Sequence, residues 1–276
     1  MRPALIVHGG AGSPPTEEHA ERQAAVDRSL EAGWVRIGEG ALEAVVATVR
    51  ALEDEPALNA GIGACFNRDG FIELDAGVME GTGLRAGAVG AVRDVRHPVE
   101  LARALLEDGR HVLLVADGAS AYARDHGVEM ADPTLFETPR QRRNLERLLV
   151  EADTVGAVAR DVEGHLAVAV STGGVTGKLP GRLGDSPVPG AGFYAQDGAG
   201  AICGTGLGEA FLRLVLSHLA VVELMHGMAP DEVARGAIEH LEAKTGASGG
   251  VIVVGAEGEP AFAFNTPFMP VAMRVG

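Results

Sequence analysis

The chain is poor in cysteine, in aromatic residues and in positive charge. Two cysteines, Cys65 and Cys203, stand among 276 residues, both beside small or apolar neighbours. That excludes a disulfide scaffold and a zinc cluster, and two reduced buried thiols fit a cytoplasmic protein. The nine histidines show no HExxH-type spacing, so metal catalysis has no motif behind it. No run of about eighteen apolar residues occurs, and the start "MRPALIVHGGAG" holds one basic residue before a short apolar run. The reading is a soluble chain with no membrane span and no removable targeting segment. Against 38 acidic residues stand 23 basic ones, a net charge of −15 that disfavours nucleic acid and anionic lipid and favours a small-molecule partner.

Aromatics make up 4% of the chain while glycine reaches 39 residues and apolar content 46%. A sizeable core is therefore affordable, but its elements must pack closely on small side chains. "ALIVHGG" (4–10) reads as a buried strand entering a glycine turn, and helical spacing follows over 17–36 and 39–54. Strands are predicted at "FIELDAGVM", "AGAVGAVRDV" and "HVLLVA", with helices near 98–108 and 117–126. Residues 132–153, polar with two prolines and a basic "RQRR", are the one linker-like stretch. Beyond it "TVGAVARDVEGHLAVAVSTGG" reads as two strands around a tight turn. Strands "GAGFYAQ" and "GAICGTG", a helix over 208–226, another over 230–244 and a final hairpin over 249–266 complete the pattern. Hairpins with paired helices between them predict an α+β domain with helices segregated onto antiparallel sheets.

Several motifs have bland readings that win on context. "GASGG" (246–250) matches GxSxG, yet a helix precedes it and a strand follows, which makes Ser248 a turn residue rather than an elbow nucleophile. "HGGAG" is then a strand-end turn. "GTGLGE" (204–209) follows a strand and opens a helix, but Glu209 occupies the third glycine position of the dinucleotide fingerprint. An oxyanion or anion site on its backbone N–H groups is the remaining use. "STGGVTGKLPGRLGDSP" sets Thr172 at a strand end and Arg182 and Asp185 three apart in a glycine loop, where a solvated surface ion pair is the simplest reading.

Taken in order, "VHGGAG", "NAGIGACFNRDGFIELDAGVMEG", "AGAVGAV", "TVGAVARDVEGHLAVAVSTGG", "GRLGDSPVPGAGFYA", "GTGLGEAF" and "FNT" resemble the plant-type L-asparaginase and isoaspartyl peptidase family of N-terminal-nucleophile hydrolases. The resemblance spans nearly the whole chain. It implies an αββα sandwich of two antiparallel sheets between helical layers, and a single domain, 1–276, that cuts itself between Asp153 and Thr154 into an α subunit (1–153) and a β subunit (154–276). By similarity Thr154 attacks the preceding carbonyl and afterwards serves as nucleophile. Its new α-amino group, with a pKa of about 7.7 to 8.0, is the base, so no catalytic cofactor is needed.

The same resemblance makes Thr172 the second active-site threonine and Arg182 and Asp185 the holders of the substrate's α-carboxylate and α-ammonium. A guanidinium fork suits a carboxylate, and an aspartate suits an ammonium. It implies a carbonyl contact from Gly208, an oxyanion hole at Thr205 and Gly206, and Asn59 near the reacting centre. It also implies a structural Na⁺ on the carbonyls of Leu52, Glu53, Glu55, Leu58, Ala60 and Ile62, and a homodimer of αβ units, which is a heterotetramer of polypeptides. The implied reaction is hydrolysis of the β-amide of asparagine or of a β-aspartyl dipeptide. A glycosylasparaginase-like reaction and an uncut binding protein are the alternatives. One departure stands out: many family members have glycine before the nucleophile, where this chain has Asp153.

Overall fold

The computed structural model describes residues 1–147 and 153–276. The first half runs β1 (Ala4–His8), α1 (His19–Trp34), α2 (Ala41–Glu53), β2 (Leu74–Glu80), β3 (Ala86–Val92), α3 (Pro98–Asp108), β4 (Leu113–Val115), α4 (Ala116–Asp125) and α5 (Pro139–Arg147). The second runs β5 (Val155–Arg160), β6 (Leu166–Thr172), β7 (Phe193–Gln196), β8 (Gly200–Gly206), α6 (Gly208–Leu214), α7 (Leu216–Met225), α8 (Pro230–Thr245), β9 (Gly249–Gly255), β10 (Ala261–Phe264) and β11 (Val271–Val275). One sheet has seven strands in the order β11-β1-β5-β6-β2-β3-β4, the other four in the order β10-β9-β8-β7. The sheets stack face to face, with α1, α2 and α3 covering the large sheet and α7 and α8 the small one. This is the αββα sandwich.

Period-two alternation assigns each strand residue to a layer. In β1 and β5, Leu5, Val7, Val155, Ala157 and Ala159 face the helices, while Ala4, Ile6 and Val158 join Phe193, Ile252 and Val254 between the sheets. Small residues let the sheets close in: a Cβ on Gly77 would lie 2.3 Å from the Phe193 ring. Among the described residues no helix is long and apolar enough to cross a membrane.

Three expectations need correction, and one strand goes unread. The large sheet is mixed, because β3 pairs with β4 in parallel after the α3 crossover. The predicted 208–226 helix breaks at Val215, whose φ of 50° ends α6 and starts α7. The segment 132–153 is not a plain linker. It holds a short 3₁₀ turn at Pro133–Phe136 and then α5, anchored by buried Phe136 and Gln141; "RNLERLLVEAD" can continue as helix up to the cut by its sequence, but residues 148–152 lie outside the described residues. Strand β11 pairs with β1 although nothing in its sequence predicts it.

Candidate active site

Register brings the predicted residues together. In the β5–β6 pair Val155 faces Ser171, so one step further Thr154 stands beside Thr172 at the mouth of the hairpin. Strand β8 ends in the facing sheet with Thr205 and Gly206 opposite Gly250 and Gly249. The loop after α2 supplies Asn59, and the loop after β6 supplies Arg182, Asp185 and Ser186. A small cavity is lined by Thr154, Thr172, Arg182, Asp185, Ser186 and Gly206, with Gly208 at its edge.

The Asp153–Thr154 peptide is held at every polar atom around the bond. The Asp153 carbonyl accepts from Asn59 Nδ2 at 2.8 Å and from Thr172 Oγ1 at 2.9 Å. Thr154 N donates to Thr205 Oγ1 at 3.0 Å, and Thr154 Oγ1 pairs with Ser186 Oγ at 3.0 Å. Two donors on one carbonyl oxygen would stabilise the oxyanion formed when Thr154 Oγ1 attacks that carbon. Thr205 Oγ1 also accepts from Ala11 N at 3.3 Å, so its own proton is left to donate elsewhere. Asn59 is fully buried and braced through Oδ1, which accepts from Cys65 N at 2.8 Å, and through a second donation to Gly174 O.

Arg182 and Asp185 do not form the surface ion pair that their spacing suggested. Arg182 is locked by two 2.9 Å bonds to Glu209, whereas Asp185 is buried. Both nevertheless converge on Gly208, where an added Cβ would lie 2.8 Å from Asp185 Oδ1 and 2.9 Å from Arg182 Nη2. Burial raises the Asp185 carboxyl to about 7, against the lowering pull of Arg182. A buried acid facing a cavity is a receptor for a cation, whose arrival restores its ionised form. Gly206 is required by its backbone: its φ is 133°, and a Cβ there would meet Gly249 Cα and Ser248 O at 2.7 Å.

Ser186 and Glu209 escape sequence reasoning, although each adjoins a residue that does not. The signals were present in "GDSP" and in an acid opening α6 just after the glycine turn. His8 is not a base: burial drives it down to about 3, and its Nδ1 accepts from Gly10 N at 3.3 Å, which fixes the glycine turn. Ser248 lies in the turn between α8 and β9, as read. The thiols Cys65 and Cys203 are buried and not joined in a disulfide. Among the described residues no group of three or more His, Cys, Asp or Glu is set to hold a metal ion. In the loop after α2, Glu53 O accepts from Ile62 N at 2.8 Å, Leu52 O from Glu55 N at 3.2 Å and Glu55 O from Leu58 N at 3.0 Å. Arg140 of α5 reaches across to the carbonyls of Pro56, Leu58 and Gly63.

Comparison with known proteins gives one answer. A model of the Asparaginase family matches residues 1–152 and 148–276, meeting just before Thr154. The isoaspartyl peptidase/L-asparaginase of Bos taurus is 37% identical over 286 residues, covering 99% of this chain and 93% of its own length. The isoaspartyl peptidase of Salmonella typhimurium is 40% identical over 98% of this chain and 94% of its own, and that of Escherichia coli 38% identical over 96% and 90%. The chain belongs to the Asparaginase family.

Proposed function

We propose that this protein is an asparaginase and isoaspartyl peptidase that hydrolyses the β-amide of L-asparagine and of β-aspartyl dipeptides, using a threonine that it exposes by cutting itself. The observation that carries the reading is the pair of donors, Asn59 Nδ2 and Thr172 Oγ1, on the carbonyl that precedes Thr154. The names of its relatives supply the substrate class.

Processing begins when Thr154 Oγ1 attacks the Asp153 carbonyl carbon and passes its proton on through Ser186. The tetrahedral oxyanion sits between Asn59 and Thr172. The C–N bond then breaks as that proton reaches the nitrogen, which leaves as an amine, and residue 153 is carried on Thr154 as an ester. Water hydrolyses that ester, giving an α-carboxylate on Asp153 and a free hydroxyl and α-amine on Thr154. The chain is now an α subunit, 1–153, and a β subunit, 154–276.

In turnover the neutral α-amine takes the hydroxyl proton, and Thr154 Oγ1 attacks the substrate's β-carbonyl. Arg182, held by Glu209, takes the α-carboxylate, while Asp185 with the Gly208 carbonyl takes the α-ammonium. Thr205 Oγ1 and Gly206 N face the oxyanion, a contribution of about 2.7 to 4 kcal/mol for each donor. The amine leaves with a proton, and water releases aspartate.

A structural Na⁺ belongs to the same reading, on the carbonyls of Leu52, Glu53, Glu55, Leu58, Ala60 and Ile62. Neutral oxygen donors suit a hard cation, although Leu58 O already accepts from the Arg140 guanidinium, with which a bound ion would have to share it. Its work would be to stiffen the loop that carries Asn59. The protein acts as a dimer of αβ units in a reducing cytoplasm, where Cys65 and Cys203 stay as thiols.

The test is to incubate purified protein with L-asparagine and with β-aspartyl-glycine and to measure released aspartate. Wild type releases it from both, and Thr154→Ala from neither. Release by Thr154→Ala at the wild-type rate would overturn the assignment.

A further inference from the structure

Beside the substrate cavity lies a second cleft, of about 480 Å³, lined by Gly12, Glu18, Arg22, Asp153, Gly206 and Ser248 among others. Gly206 borders both. With the aspartyl half of a substrate in the first cavity and its β-carbonyl at Gly206, the leaving group points into the second. In the uncut chain the Asp153 side chain lines that cleft. It packs so closely on the glycine turn that a Cβ on Gly10 would lie 2.6 Å from Asp153 Cβ.

Among the described residues that line this cleft, one is a cation. Arg22 of α1 has a side chain 4% exposed; its Nη1 donates to Asp153 Oδ2 at 3.2 Å, and its Nη2 and Nε donate to Glu18 Oε2 at 3.0 and 3.2 Å. Cutting the chain adds an α-carboxylate to Asp153, so its two carboxylates and Glu18 then crowd one guanidinium. Like-charge repulsion disfavours holding all of them together, and the Arg22 Nη1 that holds Asp153 Oδ2 in the uncut chain is shaped for a carboxylate.

The geometry points to Arg22 as the residue that selects β-aspartyl dipeptides, by binding the C-terminal carboxylate of the leaving amino acid where the Asp153 side chain sat. The covalent spacing agrees. In Asp153 three bonds separate the attacked carbonyl carbon from the side-chain carboxyl carbon. In a β-aspartyl dipeptide three bonds, through N and Cα, separate the attacked carbon from the C-terminal carboxyl carbon. Both carbons must approach the same atom, Thr154 Oγ1, to within about 3 to 3.5 Å to react. Asp153 is the acyl residue of its own bond, so what it shares with the leaving residue of a substrate is reach, the distance from the attacked carbon to a carboxyl group. The idea rests on the proposed reaction and adds its leaving-group specificity.

The experiment compares kcat/KM of the self-cleaved protein for β-aspartyl-glycine, β-aspartyl-glycinamide and L-asparagine. A charge-assisted bond lost with the carboxylate corresponds to about 10- to 100-fold, so the free acid should exceed the amide by that factor. Arg22→Gln should collapse the acid-to-amide ratio toward one and lower the dipeptide-to-asparagine ratio by the same factor. Glu18→Gln, which removes the competing carboxylate, should lower KM for the acid more than for the amide, and it covers the case in which Arg22→Gln does not cut or fold. Acid and amide turned over within threefold of each other by wild type would overturn the role of Arg22 while leaving the reaction standing. Hydrolysis of none of the three would overturn the reaction itself, and Arg22's role with it.

Discussion

Replacing Thr172 by valine removes one hydroxyl with two partners. Its Oγ1 donates to the Asp153 carbonyl at 2.9 Å and accepts from Gly174 N at 2.9 Å. The two losses fall on different quantities. The first removes an oxyanion donor, which costs about 2.7 to 4 kcal/mol of transition-state stabilisation and slows self-cleavage about 10²- to 10³-fold. The second leaves a buried amide unpaired and lowers folding stability by about 1 to 3 kcal/mol. Asn59 stays on the same oxygen, so cutting slows rather than stops. A time course of chain splitting on a denaturing gel, run beside thermal melts, separates the rate from the stability loss. Thr172→Ser keeps both bonds and should cut within a few-fold of wild type. If Thr172→Val splits at the wild-type rate, the Asp153 carbonyl is not activated by this hydroxyl and the reasoning fails.

The remaining expectations concern charge. Asp185, raised to about 7 by burial, must be ionised to receive an ammonium, and the Thr154 amine, at about 7.7 to 8.0, must be neutral to act as base. Below pH 7 a plot of log kcat/KM for asparagine should therefore rise with a slope of two. For succinamate, which lacks the ammonium, the slope should be one; identical profiles would remove Asp185 from binding. Glu53 is buried and raised to about 8, a desolvated acid that accepts from Val99 N at 3.0 Å. Because its folded pKa lies above its unfolded one, the stability it gives is complete below about pH 4 and fades as pH rises through about 8. Melting temperature should then fall more steeply between pH 5 and 8 for wild type than for Glu53→Gln, and parallel curves over that range would count against a buried protonated Glu53.

The elements legible in the sequence are those whose period matches their burial. Strands β5 and β6 alternate small and branched residues because both faces are covered, and the register they impose is what sets Thr154 against Thr172. Strand β11 is short and half exposed, with neighbours Met273 and Arg274 both exposed on opposite faces, so it carries no such pattern. Helices α6 and α7 read as one because the apolar run crosses Val215 without a glycine or proline to mark the break. Strand β4, three residues long and largely exposed, gives no sign that it pairs in parallel. At the site, Thr172, Arg182 and Asp185 drew notice through their loop and their family resemblance. Arg22 did not, since an arginine on α1 with a glutamate four residues before it reads as a solvated face. Its burial depends on Asp153, 131 residues away, and no local pattern encodes that contact.

The account stands on Thr154 becoming an N-terminus. Intact mass spectrometry of the incubated protein, with N-terminal sequencing of each species, tests that directly. The prediction is two chains, residues 1–153 and 154–276, the second beginning Thr-Val-Gly-Ala, with amidase activity rising in step with the cut. A protein that hydrolyses asparagine while remaining one chain of 276 residues, or that is cut at another bond, would contradict it.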